Sequence, residues 1–376
     1  MRSLSFIRLI FILTLGAGCT YQFFPDTDEN QEVLVVDGMV TDQNRVNKIK
    51  LSKSMPIGKP LVRKPVKGAV VTITDEKGIV TTLTEFPTGT YCTDSLKFRG
   101  CVGSRYSLNI KLNNVNYETD FIEMKPVPPI DSLYYEKVVI NSAKDSSDID
   151  EGCKIYADTW DHSGKCLFFR WRYTETWEYR IPYNVTNKIC WVYASSYEVL
   201  IKNTSIYSQA RVTKYPILFI KNNTDKLKVK YSILVNQYSL NEQEFDFWEK
   251  VRNISEDVGS LYDITPVTIP GNIRCTSNSG ETVRGYFSVS AVTQKRLFIE
   301  DVFLGQPTFY SYCPTDTIYG SLPGEGLNTK FWVIEENIDE IPPIYVITEF
   351  RECADCTTEG TKIRPPFWND DLKNNQ

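Results

Sequence analysis

Histidine is almost missing from this chain, with one imidazole, His162, in 376 residues. That scarcity excludes histidine-rich metal sites and leaves His162 as the one base available to a Ser/His/Asp or Cys/His nucleophile pair. It lies in the polar turn "DHSG" with no nucleophile motif around it, so a solvated turn residue is expected. Long apolar runs are lacking too. A bilayer-spanning helix needs about 20 predominantly apolar residues; neither "YPILFI" nor "PPIYVITEF" approaches that, and no transmembrane helix is expected in the mature chain. Neither sign of charge dominates: 42 basic and 47 acidic residues, interspersed, give a net charge of −5. The basic stripe that nucleic-acid binding requires is absent. No unit of about 20 to 50 residues repeats, which argues against a solenoid.

What is present begins at the N-terminus. Arg2 and Arg8 form a positive region and Leu9 to Leu15 an apolar one, the layout of a secretory signal. Gly16-Ala17-Gly18-Cys19 then resembles a bacterial lipobox, with Gly16 where Leu is usual. The expectation is a signal peptide over 1–18 and lipid attachment at Cys19, with more than one acyl chain giving stable anchoring. The alternative is a signal peptide cut near Ala17 that leaves Cys19 a thiol. Residues 19–31 follow as a tether, acidic from Asp26 onward.

Ten cysteines fit an exported chain in which disulfides persist, and setting Cys19 aside leaves an odd number. Cys92 and Cys101, flanking "TDSLKFRG", are a candidate local bridge that would contribute about 3 kcal/mol. Cys153 and Cys166 are a second candidate pair. In Cys353-Ala354-Asp355-Cys356, a redox or half-zinc role would need a helix N-terminus or a second ligand pair. Because the motif follows the extended run "YVITEFREC", a structural disulfide or pairing with more distant cysteines is expected instead.

Strand-forming residues dominate, with 22 tyrosines among them. "EVLVVDGMVT", "NKIKLSKS" and the hairpin signal "GAVVTITDEKGIVTTLTE" predict a sandwich over 32–124, with Ala69, Val71 and Ile73 on one face. The prolines of "KPVPPID" interrupt it, so 125–131 is read as a linker. A larger β-rich domain is expected over 132–368, with a polar tail over 369–376. Its one helix, "NEQEFDFWEKVRNI", opens on a capping box of Asn241 and Glu244 and presents Phe247, Val251 and Ile254 on one face. Gly259 is a suitable stop.

Paired carboxylates could support glycoside hydrolysis, but 47 acidic residues offer many accidental pairs. "DSSDIDEG" does not complete a calcium-loop register. Most aromatic residues are expected in cores and cross-strand pairs rather than on a binding platform.

The ordered series "VLVVDGMVTD", "GAVVTITDEKG", "FRGCVGSRYSLNI", "PVPPIDSLYYE", "YSILVNQYSLNEQEFDFWEKV", "PGNIRC", "GYFSVSAV" and "ECADCTTEGTKIRPPFW" resembles a Bacteroidota outer-membrane lipoprotein family of unknown function, over about residues 32–368. The front segment is also similar to Ig-like, carboxypeptidase-regulatory or transthyretin-like sandwiches. The resemblance implies an envelope location and a TonB-dependent receptor barrel as partner. The expected function is a non-catalytic, lipid-anchored protein, without cofactor or metal, that binds a glycan or peptide ligand in nutrient uptake. A carboxylate-based surface hydrolase and an adhesive surface component are the alternatives.

Overall fold

Hydrophobic alternation sorts the first strands into two facing sheets. The computed structural model describes residues 32–54, 64–141, 149–257, 269–278, 280–322 and 330–368. The expected signal segment, Cys19, the expected tether, Asp148, Gly259 and residues 369–376 lie outside the described residues. The first ten strands are β1 (Leu34–Thr41), β2 (Lys48–Lys53), β3 (Lys64–Pro65), β4 (Val70–Asp75), β5 (Val80–Thr82), β6 (Thr84–Glu85), β7 (Thr90–Cys92), β8 (Arg105–Leu112), β9 (Val115–Thr119) and β10 (Ile122–Glu123). In β1 and β2, Val36, Val40, Ile49 and Leu51 are buried, while Asp37, Lys48 and Lys50 point outward. Val71 and Ile73 of β4 face them across the core, on the face expected from the sequence.

The expected boundary at residue 124 is crossed by the chain. After the linker come β11 (Ile130–Asn141), β12 (Ile149–Asp161), β13 (Phe168–Arg180), β14 (Ile189–Ser195), β15 (Leu200–Asn203), β16 (Ala210–Ile220), β17 (Tyr231–Leu240) and the helix α1 (Glu242–Asp257). Next are β18 (Ile273–Cys275), β19 (Val283–Ser290) and β20 (Val292–Ile299), then β21 (Asp316–Tyr319), β22 (Trp332–Asn337) and β23 (Ile344–Thr348). One sheet runs β19-β1-β2-β7-β6 with β3 on β2, and the facing sheet runs β18-β9-β8-β4-β5 with β10 on β8. Both gain an edge strand from beyond residue 270. The sequence run "RGYFSVSAVTQKRLFI", continuous in its alternation, is divided near Ala291: β19 lies parallel to β1, and β20 pairs with β17 in the second sandwich. Gly285 permits the first contact. Its φ is +90°, and a Cβ there would meet the Val36 carbonyl oxygen at 1.9 Å.

The second sandwich packs the sheet β11-β12-β16 against β14-β13-β17-β20, with β15 also on β13. Trp171, Phe169, Tyr231 and Ile233 fill its core. The proline-rich linker is fastened to this sandwich. Gln237 Nε2 donates to the Pro128 carbonyl at 2.8 Å, and Ser239 Oγ donates to the Lys125 carbonyl at 2.6 Å. Prolines bring acceptors but no donors, and the side chains of β17 supply the donors.

A fifth sheet, β21-β23-β22, belongs to the C-terminal segment. Cys190 on β14 is bonded to Cys356, and Cys313 to Cys353. The two cysteines of the C-x-x-C motif therefore each reach a distant partner, one of the two outcomes left open by the sequence. The expected local pairs do not form: Cys92, Cys101, Cys153, Cys166 and Cys275 are thiols. For Cys153 and Cys166 the reason is distance. The Cys166 amide donates to Asp161 Oδ2 at the far end of β12, roughly 25 Å along the strand from Cys153, whereas bridged Cα atoms lie within about 7 Å. The segment between Cys92 and Cys101 is ordered by other contacts: Phe98 packs edge-on against Tyr106, and the Gly100 amide donates to the Thr41 carbonyl. Burial pushes the Cys153 thiol up to about 12 and raises that of Cys166 further, so both stay protonated.

Among the described residues no helix is long and apolar enough to cross a membrane, and no group of three or more metal-ligating side chains occurs.

Candidate functional site

The outer face of the β19-β1-β2 sheet and the outer face of the β13-β17-β20 sheet approach one another with α1 between them. Where they do not close, a cleft of about 1040 Å³ remains, at the upper end of the ligand-pocket range. Its walls follow directly from strand periodicity. Inward residues alternate with outward ones, so Asp37 and Met39 of β1 and Lys48 and Lys50 of β2 share one wall, paired across the strands as Met39 with Lys48 and Asp37 with Lys50. On the opposite wall, Phe169, Trp171 and Tyr173 of β13 enter the second core, which directs Arg170 and Arg172 into the cleft.

Helix α1 closes the end of the cleft. Its N-terminus is capped as expected, the Asn241 Oδ1 accepting from the Glu244 amide at 2.8 Å. The second half of the capping box is not made. The Glu244 side chain turns inward, fully buried, and its Oε1 accepts from Ser288 Oγ of β19 at 2.5 Å and from Trp248 Nε1 at 3.3 Å. The i, i+4 spacing places Trp248 over Glu244 on one helix face. The face of the indole carries the Arg170 guanidinium, 3.4 Å from the ring centroid. Phe247 packs on Tyr286 of β19 with centroids 4.8 Å apart. The buried side of α1 is thus Glu244, Phe245 and Phe247, with Trp248 half-buried and Val251 and Ile254 at its margin.

The cleft is cationic in an acidic protein. Among the described residues Arg45, Lys48, Lys50, Lys53, Arg170 and Arg172 line it, against one carboxylate, Asp37. Lys53 is neutralised by Glu32 at 3.2 Å. Arg45, Lys48, Lys50 and Arg172 are exposed and form no ion pair among the described residues. Arg170 is only 7% exposed, and its Nε lacks a hydrogen-bond partner. Burial pulls its guanidinium down to about 10, with Glu244 acting in the opposite direction.

Burial also pushes the Glu244 carboxyl up to about 7, against the opposing effects of Ser288, Arg170 and Trp248. A carboxyl group with a raised folded-state pKa gives full stability below its unfolded value of 4.5 and loses it as pH rises through about 7. The loss is on the order of 3 kcal/mol. Glu244→Gln keeps an acceptor for Ser288 and Trp248 but carries no charge. It is expected to be more stable than the parent at pH 8 and to flatten the stability profile between pH 4.5 and 8, as measured by urea unfolding. Parallel profiles for the two proteins would show that Glu244 is not the group responsible.

The sequence candidates for chemistry lie elsewhere. His162 is exposed in the turn after β12, its ring 3.7 Å from that of Trp160. Cys353 and Cys356 are consumed in disulfides. The basic residues of the cleft were carried in the sequence by the i, i+2 pairs of "KIKLSK" and "RWR", each inside an alternating strand. What the pattern lacked was any sign that the two pairs would face each other.

Fold and cleft together define a mainly β protein of two joined sandwiches with a charged crevice at their junction. The chain belongs to the family described as a domain of unknown function, DUF4249, which matches residues 20–296. The match takes in both cleft walls and α1 and stops before the C-terminal sheet, short of the "ECADCTTEGTKIRPPFW" ending that the sequence resemblance included. No curated protein matches the chain.

Proposed function

We propose that this chain is a lipid-anchored, non-catalytic ligand-binding protein of the outer membrane, with the cleft between its sandwiches as the binding site. The observation that carries this reading is the cleft itself: large, open, and lined by Arg45, Lys48, Lys50 and Arg172, which form no ion pair among the described residues. Groups left unpaired at such a junction gain most by pairing with a ligand. The N-terminal sequence supports the anchor, with Cys19 as the acylated residue and the acidic tether as a spacer. The resemblance to lipoproteins found beside TonB-dependent receptors supports a receptor barrel as partner in uptake. Binding is favoured over hydrolysis because carboxylate-based glycosidases need two carboxyl groups at the substrate. Asp37 lines the cleft alone, while Glu244 is sealed behind Trp248.

Two measurements test it in the native host. Fatty-acid labelling should mark the wild-type protein and not Cys19→Ala. Co-purification from gently solubilised membranes should recover a receptor barrel. An unlabelled wild-type chain, recovered alone, would overturn both the anchor and the partnership.

A further inference from the structure

We infer that the cleft takes a polyvalent oxyanion, a short oligomer bearing carboxylate, sulfate or phosphate groups at intervals. This rests on the cleft being the ligand site and names the chemistry of what enters it. Three observations carry it. Among the described residues the lining holds six cations and one carboxylate, a local excess of positive charge in a chain whose net charge is −5. Four of these cations stand in two facing rows. Lys48 and Lys50 on β2 and Arg170 and Arg172 on β13 are each two residues apart, a spacing of about 7 Å along a strand. A single small anion cannot answer four charges so placed, whereas an oligomer with repeated anionic groups can. Arg170, finally, is buried with its Nε unpartnered. Leaving a buried donor unmade costs more than an ordinary hydrogen bond returns, and an oxyanion is the acceptor that a guanidinium pairs with best. Trp248 holds this guanidinium flat from below, which fixes its direction before any ligand arrives.

The size agrees. About 1040 Å³ exceeds what a lone phosphate or monosaccharide fills. The apolar floor, Met39 and Tyr238 with the edge of Trp248, can receive the faces of rings between the charged groups.

The test is calorimetric titration of the full chain with a short oligogalacturonide, a short inorganic polyphosphate, and a neutral malto-oligosaccharide of the same length as the first. Binding of either anion, weakened about tenfold or more in Lys48→Glu/Lys50→Glu and unchanged in Lys77→Glu/Lys111→Glu, supports the inference. The first two arms separate a carboxylated saccharide from a phosphate source. Lys48 and Lys50 are exposed, so loss of folding is not expected, and circular dichroism of the variants checks it. Affinity should also fall steeply with added salt. Binding of the neutral oligomer alone, abolished by filling the floor with Met39→Trp, would overturn the anionic assignment and leave the cleft as the ligand site. Binding of none of the three would overturn the inference, while labelling at Cys19 and co-purification of a receptor would be judged on their own results.

Discussion

Replacing Cys190 and Cys356 together by serine is expected to cost the folded chain about 5 kcal/mol and to free its C-terminal sheet. The bond joins residues 166 apart in sequence, and in the chain-entropy account a loop of that length gives about 5 kcal/mol by restricting the unfolded state. Both cysteines are fully buried beside Tyr179 and Ile181, so the variant also loses packing in that cluster. What would still hold the segment is the reciprocal Trp191 and Thr361 backbone bonds at 2.8 and 3.0 Å, the Cys356 amide donating to the Asn187 carbonyl at 3.0 Å, Asn187 Nδ2 donating to Asp355 Oδ1 at 3.0 Å and Lys362 Nζ donating to Asn187 Oδ1 at 2.9 Å, with buried Trp368 edge-on to Phe298 and Arg296 over the Phe367 ring at its end. Hydrogen bonds contribute about 1 kcal/mol each, so these contacts hold the residues around 355–368, while the sheet over 316–348 loses its covalent tie to β14 and must meet its conformational entropy without it. The measurements are the urea midpoint, expected to fall, and limited proteolysis, expected to release a C-terminal fragment that the parent protects. An unchanged midpoint with an unchanged cleavage pattern would mean that the sheet docks without its staple.

Trp171→Ala is expected to be nearly as costly, at about 4 kcal/mol. The indole is fully buried in the second sandwich, stacked on Tyr215 with centroids 4.3 Å apart and near Phe169 at 5.8 Å. Its Nε1 donates to Gln237 Oε1 at 2.8 Å, and the same amide donates to the Pro128 carbonyl and to Thr159 Oγ1. Truncation therefore opens a cavity and also removes the donor that holds the oxygen of the amide fastening the linker. Trp171→Phe separates the two effects. It retains most of the volume, loses the donor, and is expected to cost about 1 to 3 kcal/mol. Thermal unfolding followed by circular dichroism ranks the three proteins; an alanine variant within 1 kcal/mol of the parent would show that the core collapses around the lost ring.

Local pattern was legible in the sequence and long-range pairing was not. Val71 and Ile73 are buried where alternation put them, the hairpin turn sits at Gly78 with a φ of +82°, and Asn241 caps α1. Each of these is decided by neighbours a few residues away. Glu244 shows where such reasoning stops. Three residues after the cap its side chain should return to the helix N-terminus, yet Ser288, 44 residues on, offers a buried hydroxyl that wins it. The cysteines failed in the same manner: sequence proximity suggested Cys153 with Cys166, and a single extended strand keeps them apart. The cleft was half visible. "KIKLSK" and "RWR" each announced a basic strand face, but no spacing within either could place the two faces opposite one another.

The sequence by itself determined a mainly β chain, one capped helix and a histidine in a polar turn, because composition, period and turn chemistry act locally. Only the tertiary structure decided that the run from Arg284 to Ile299 divides between two sandwiches and that the C-x-x-C cysteines bond to partners 166 and 40 residues away. It decided, too, that the basic faces of β2 and β13 converge on one cleft. Those outcomes depend on which surfaces gain most by meeting, and a strand's alternation fixes its two faces without naming what either will pack against.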